Sequence, residues 1–185
     1  MAKKLVIVVG HSGSGKSSIM SFLQKNKKYR VVNLGEVMHE LAKKKRLVKH
    51  PDQIRNLDDD VREDLRNEAI KHVSKLQGNV ILDTHANVEQ HGRYLPGLHH
   101  YVTDQLKHVS GFLYVDADPE TILKRTNMDK KEKWSISMQK DINLAILSHH
   151  ASQLNIPLYI VSNNEGELEE AQQQASKHIE SIFTA

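Results

Sequence analysis

The chain contains no cysteine, which excludes disulfide staples, thiolate nucleophiles and cysteine-based metal sites, and fits a reducing compartment. It has no apolar run near the ~20 residues needed to cross a bilayer. No secretory signal is legible at its start, where the short apolar run reads as a strand. A soluble, cytoplasmic protein without membrane contact is therefore expected. The formal charge of +3 is modest, and its basic runs are short: Lys3-Lys4, 43–46 and Lys130-Lys131. No nucleic-acid motif accompanies them, so they read as solvated surface rather than as a DNA or RNA footprint. The 12 histidines include the neighbours His99-His100 and His149-His150, but no metal-ligand spacing such as HExxH. One further absence matters later: no arginine follows Arg125. Internal repeats and disordered linkers are also lacking, and 185 residues suit one domain spanning 1–185.

What is present is concentrated at the start. Leu5-Val6-Ile7-Val8-Val9 has the β-branched continuity of a strand buried on both faces. Gly10, His11, Ser12, Gly13, Ser14, Gly15, Lys16, Ser17 and Ser18 follow, and Ile19-Met20-Ser21-Phe22-Leu23 opens a helix. Gly10, Gly15, Lys16 and Ser17 fill the G-x-x-x-x-G-K-[ST] pattern in its strand–loop–helix setting. Glycines let successive backbone N–H groups turn inward at phosphate oxygens, beside the positive end of the helix dipole. Lys16 can then reach the β- and γ-phosphates, and the Ser17 hydroxyl can ligate Mg²⁺. Nucleoside triphosphate binding follows from this stretch alone, with the charge of Lys16 expected to face ligand.

Strands and helices alternate after it. Strands are expected at 5–9, 29–33, 80–83, 111–115 and 158–161. Helices are expected at 16–25, 36–44, from about Asp58 to Leu76, 99–106, from Pro119, 135–154 and 165–183. A loop containing Gly92, Pro96 and Gly97 joins the third strand to the next helix, and no hairpin signal is present. Such a pattern, opened by the P-loop, calls for an α/β, three-layer fold with a five-stranded parallel sheet and helices on both faces. The nucleotide belongs at the carboxyl ends of the strands. Residues 34–77 and 124–134 fit poorly inside this core and are expected to project over the site and close on it.

Val80-Ile81-Leu82-Asp83-Thr84-His85 is the second informative stretch. A carboxylate at the end of an apolar strand is costly to bury unless it is paired or faces a site. Asp83 reads as a Walker-B-type acid holding Mg²⁺ with Ser17; an N-cap or turn aspartate is the alternative. His85 either touches ligand or hydrogen-bonds backbone.

The P-loop, residues 32–38 (VNLGEVM), 52–57 (DQIRNL), Asp83-Thr84-His85 and 94–98 (YLPGL) together resemble the archaeal-type adenylate kinases in order and spacing over about residues 4–125. That resemblance implies transfer of the γ-phosphoryl group of MgATP to AMP, giving two ADP, and a homotrimer. It implies that Gly10–Ser18 hold the ATP phosphates, and that Ser17 and Asp83 serve the metal. Gly35, Met38, Arg55, Thr84, His85, Tyr94 and Gly97 would bind the monophosphate, with Arg55 clamping its phosphate. Lys16, Arg55 and Arg125 would be catalytic, with 34–77 as the monophosphate-binding insertion and 124–134 as the lid.

The lid departs from the family pattern, which is arginine-rich there. This chain has Thr126-Asn127-Met128-Asp129-Lys130-Lys131-Glu132-Lys133. Arginine offers phosphate a planar fork whereas lysine is a flexible point charge, and losing an arginine finger costs on the order of 10³–10⁵ in rate. Lys130, Lys131 and Lys133 are either substitutes for that charge or a solvated run. The alternatives to an adenylate kinase are a P-loop phosphotransferase acting on another nucleotide or small acceptor, and a nucleotide-binding module or slow ATPase.

Overall fold

A computed structural model describes residues 4–26, 28–90 and 92–185; for Gln90, His100, Tyr101 and Val102 it describes the backbone alone. Lys3 of the first basic run and the His100 side chain thus lie outside the described residues. The first strand, β1 (Lys4–Gly10), is the middle of a five-stranded sheet. Its neighbours are β3 (Asn79–Asp83) and β6 (Val109–Asp116), with β2 (Arg30–Asn33) and β7 (Leu158–Ser162) at the edges, in the order β2-β3-β1-β6-β7. Every pairing is parallel. The order fits the sequence, since β1 is the most continuously apolar strand and a central parallel strand is buried on both faces.

Strand alternation divides the core. Leu5, Ile7 and Val9 point with Val80, Leu82, Phe112 and Tyr114 toward α2 (Leu34–Lys44), α3 (Asp59–Ser74) and α6 (Lys133–Leu154). Val6 and Val8 point with Ile81, Leu113 and Val115 toward α1 (Lys16–Gln24) and α7 (Leu168–Thr184). This is the expected three-layer arrangement. A small third cluster, Ala117, Ile122, Leu123 and Ile136, joins α5 (Pro119–Thr126) to α6.

Three expectations need correction. The 34–77 segment does not stand apart from the core. Leu34, Met38, Ala42, Leu65, Ala69, Ile70, Val73 and Leu76 all belong to the larger core cluster, because the spacing that marks α3 as amphipathic also gives it an apolar stripe that must be covered. Its charged residues occupy the remaining faces. A hairpin is present: β4 (Asn87–Gln90) pairs antiparallel with β5 (Arg93–Pro96), Asn87 opposite Pro96 and Glu89 opposite Tyr94. Its strands are four residues long and only partly apolar, too short for alternation to register, and Gly92 at φ 74° supplies the turn. The 124–134 segment is not separate from the helices beside it: α5 continues to Thr126, Asn127 closes it in the left-handed conformation at φ 54°, and a 3₁₀ turn at Lys130–Glu132 leads into α6.

Remaining elements match the expectation closely. Asp58 occupies the N-cap position of α3 without a side-chain capping bond, and a 3₁₀ turn at Pro51–Asn56 precedes it. The short α4 (His100–Gln105) lies where a helix was read. Among the described residues no helix is long and apolar enough to cross a membrane.

The core assignment predicts a sharp contrast. Leu82→Ala, at a position with no exposed surface, should lower unfolding free energy by about 2–5 kcal/mol. Leu168→Ala, at the partly exposed start of α7, should change it by about 0.5 kcal/mol or less. Urea unfolding of both variants checks this, and equal effects would mean the sheet is not the centre of the core.

Candidate active site

The P-loop leaves the carboxyl end of β1 and wraps into α1. Gly13 and Gly15 have φ of 84° and 85°, backbone that side-chain-bearing residues rarely adopt. Gly15 is also constrained by space, since a Cβ there would lie 2.0 Å from Asn163 Nδ2. The same Nδ2 donates to Ser14 O at 2.6 Å. Asn163, buried in the turn after β7, therefore clamps the loop from outside, and its N–H donates to Asp116 O at 2.8 Å. No side chain caps the start of α1, so its first N–H groups are the natural seat for an anion.

Arg125 reaches the same loop from α5. Its Nη1 donates to Gly13 O at 3.3 Å and Asn163 O at 2.9 Å, and its Nη2 to Asn164 O at 3.0 Å. The guanidinium ties the P-loop to the β7–α7 turn. The lid lysines have surface partners: Lys131 lies near Asp129, and Lys133 and Lys124 pair with Glu120 and Glu165 at 2.6 and 2.5 Å.

The centre of the site is a chain of three polar side chains. Lys16 Nζ donates to Asp83 Oδ1, and Asn33 Nδ2 donates to Asp83 Oδ2 at 2.8 Å. Lys16 and Asp83 are only 9% and 6% exposed. The sheet makes this contact possible, because register places Asp83 beside Val8 on one side and Asn33 on the other. Lys16 thus faces a carboxylate across the cleft rather than open solvent, a refinement of the sequence expectation. Asn33 Oδ1 also accepts from Glu36 N at 3.0 Å and caps α2. One asparagine therefore orients the carboxylate and starts the next helix.

Asn33 opens on a cavity of about 450 Å³ lined also by Gly35, Glu36, Met38, His39, Pro51, Asp52, Ile54, Arg55, Arg62 and Arg66. Gly35, Met38 and Arg55 of the expected acceptor set meet here. Thr84 and His85 do not line it; they continue from Asp83, with Thr84 N donating to Val8 O at 3.1 Å. Desolvation by its surroundings holds the His85 imidazole below its ordinary pKa of 6.5, with the Lys16 ammonium adding to the effect and Asp83 opposing it. Tyr94 and Gly97 belong to the hairpin. The Tyr94 hydroxyl lies 3.3 Å from Ser135 Oγ on α6. Gly97 N donates to Ala86 O at 2.8 Å, and a Cβ on Gly97 would come within 2.5 Å of His85 O. Gly97 is needed for close backbone approach, which sets where His85 stands.

Sequence reasoning missed Asn33, Arg62, Arg66 and Asn163 as site residues. Asn33 and Asn163 had a signal: each is a polar residue closing an apolar strand, as Asp83 is. Arg62 and Arg66 had a weaker one, their four-residue spacing on one face of α3, hidden among the charges around them.

Comparison with known proteins now bears on the geometry. The chain is 32% identical over 171 residues to the adenylate kinase of Thermoplasma acidophilum, covering 89% of this chain and 92% of that protein. It is 33% identical over 176 residues to that of Methanothermobacter thermautotrophicus, covering 91% and 95%. The chain belongs to the archaeal adenylate kinases. The profile of the AAA domain family matches residues 9–143, from the end of β1 to the middle of α6. Shikimate kinase from Aquifex aeolicus superposes with a TM-score of 0.58 at 16% identity, over 96% of both chains; at that identity the likeness is one of fold. This membership makes the chain a nucleoside monophosphate kinase, as the sequence blocks implied.

The buried ion pair gives a prediction. Lys16→Ala should abolish catalysis and also destabilise the fold by about 3 kcal/mol, since it leaves Asp83 with Asn33 as its remaining polar partner. Lys16→Ala combined with Asp83→Asn should recover most of the stability and none of the activity. Thermal unfolding alongside turnover separates the two effects; unchanged stability in the single variant would show that the pair does not hold the cleft.

Proposed function

We propose that this chain transfers the γ-phosphoryl group of MgATP to AMP and releases two ADP. The observation that carries the reading is the Lys16–Asp83–Asn33 chain, which links the P-loop directly to the Arg55 cavity. Donor and acceptor sites thus share one polar junction. The fit of Mg²⁺ rests on donor chemistry. Asp83 and Ser17 offer hard oxygens at the P-loop, and among the described residues no group of three or more acidic or histidine side chains would hold a metal by itself. Phosphate oxygens and water would complete the coordination. When bound, Mg²⁺ neutralises charge on the β- and γ-phosphates.

In this reading Lys16 leaves Asp83 for the transferring phosphate, while backbone N–H groups of Gly13 to Ser18 hold the ATP phosphates. Ser17 and the released Asp83 carboxylate serve the metal's shell. A phosphate oxygen of AMP forms the new bond to the γ-phosphorus as the bond to the β,γ-bridging oxygen breaks. The acceptor oxygen is already anionic, so no general base is required, and positioning and electrostatics supply the catalysis. Arg55 clamps the acceptor phosphate, and Gly35 and Met38 shape its pocket. Thr84 and His85, which follow Asp83, stand between the two sites. Tyr94 and Gly97 fix the hairpin wall. Arg125 holds the P-loop in its phosphate-binding shape, residues 34–77 form the monophosphate-binding segment and 124–134 the lid. The homotrimer belongs to the same reading on resemblance alone, and the cytoplasmic location on the lack of cysteine and of a bilayer-length apolar run.

A coupled assay for ADP with MgATP plus AMP, GMP, CMP or UMP tests the activity, with AMP expected as the preferred acceptor. ATP consumption that ignores every monophosphate would overturn it. Arg55→Lys should raise KM for AMP by roughly tenfold or more and leave KM for ATP within about twofold, because a bidentate fork becomes a point charge. Equal changes for both substrates would remove Arg55 from the acceptor site.

A further inference from the structure

Two more arginines enter the acceptor cavity from an element the sequence presents as a solvated charged helix. Arg62 and Arg66 stand four residues apart on α3, so they share one face. Their side chains are 17% and 20% exposed, unlike the typical surface arginine. Both line the 450 Å³ cavity with Arg55, which arrives separately from the Pro51–Asn56 turn. Both also line the neighbouring cavity of about 220 Å³, bounded by Val88, Leu95 and Pro96 of the hairpin, so they form the wall between the two.

Each is oriented by a carboxylate three residues earlier: Arg62 pairs with Asp59, and Arg66 Nη1 lies 3.5 Å from Glu63 Oε2. Neither carboxylate lines the Arg55 cavity, whose own acids are Glu36 and Asp52. Three arginines and two acids line that cavity, while Asp59 and Glu63 line the adjoining one together with the arginines they pair with. The cavity between Lys45, Lys71 and α3 has the opposite balance, with Glu63, Asp64 and Glu68. Each acid holds its arginine at the wall between the cavities, and a planar guanidinium fork matches an entering phosphate best.

We infer that Arg62 and Arg66, together with Arg55, form a three-arginine clamp for the phosphate of the acceptor nucleotide. This rests on the reading of AMP as acceptor given above. It relocates the charge that the arginine-poor segment after Arg125 lacks. All four have an acidic neighbour, but Lys131 and Lys133 are 75% and 54% exposed, whereas Arg62 and Arg66 are 17% and 20% exposed and line the cavity. The charge that governs this site thus comes from beneath the acceptor, on a helix anchored in the core by Leu65, Ala69 and Ile70.

Calorimetric binding of AMP and of adenosine, which lacks the phosphate, tests the clamp on the full-length protein. Arg62→Gln and Arg66→Gln should each weaken AMP by roughly tenfold or more while adenosine changes less than about twofold. Arg62→Lys and Arg66→Lys, which keep charge and packing, should also weaken AMP selectively and keep the wild-type unfolding midpoint; they decide the matter should the Gln variants not fold. Equal losses for AMP and adenosine, or no loss for AMP, would overturn the clamp and leave the pair as structural. Wild-type transfer to AMP, measured first, separates this outcome from failure of the AMP reading itself.

Discussion

The structure depends on one ion pair, Lys16 with Asp83. Each member closes an element that the sheet fixes: Lys16 opens α1 after β1, and Asp83 ends β3. Parallel pairing of β1 with β3 brings their ends together, and β2 adds Asn33 to the far side of the carboxylate. Burying two charges this deeply is costly unless every polar atom finds a partner. Here they are partnered by each other and by Asn33, in a cleft whose floor is the carboxyl end of the sheet. A phosphate entering beside Lys16 competes for the same ammonium, so nucleotide binding and reorganisation of the cleft are one event.

Around that pair the fold places rigid supports rather than flexible ones. The P-loop is held from behind by Asn163 and Arg125 through backbone carbonyls. The hairpin is held by the close approach of Gly97 to His85 and by Tyr94 on Ser135. The acceptor side rests on α2 and α3, whose apolar stripes belong to the main core. Catalysis of phosphoryl transfer relies on preset positions and preset charge, and these anchors provide both.

The charge distribution separates this chain from the arginine-rich lid pattern that its family resemblance implies. Lys131 and Lys133 of the lid segment lie on the surface near acidic partners. The chain's half-buried guanidiniums lie on the acceptor side, on α3, beside the exposed Arg55 of the Pro51–Asn56 turn. A helix packed into the core holds its charges at less entropic cost per contact than a surface segment does. Compensation from α3 is therefore physically easier than compensation by lid lysines.

The sequence by itself determined the P-loop, the strand–helix alternation, the apolar stripe of α3 and the carboxylate at Asp83. Each is a local pattern: a spacing of glycines, a period of two or of 3.6, or a charge at the end of an apolar run. It also carried the family blocks that mark an archaeal adenylate kinase. Tertiary structure alone decided that Asn33 bridges to Asp83, that Asn163 and Arg125 clamp the P-loop, and that α3 turns Arg62 and Arg66 into the Arg55 cavity. It also decided that Tyr94 and Gly97 build a hairpin wall apart from that cavity. These facts depend on strand order and on which face of a helix meets the sheet. Residues 50 to 150 positions apart are brought together only when parallel crossovers are complete, and no local period in the chain records that.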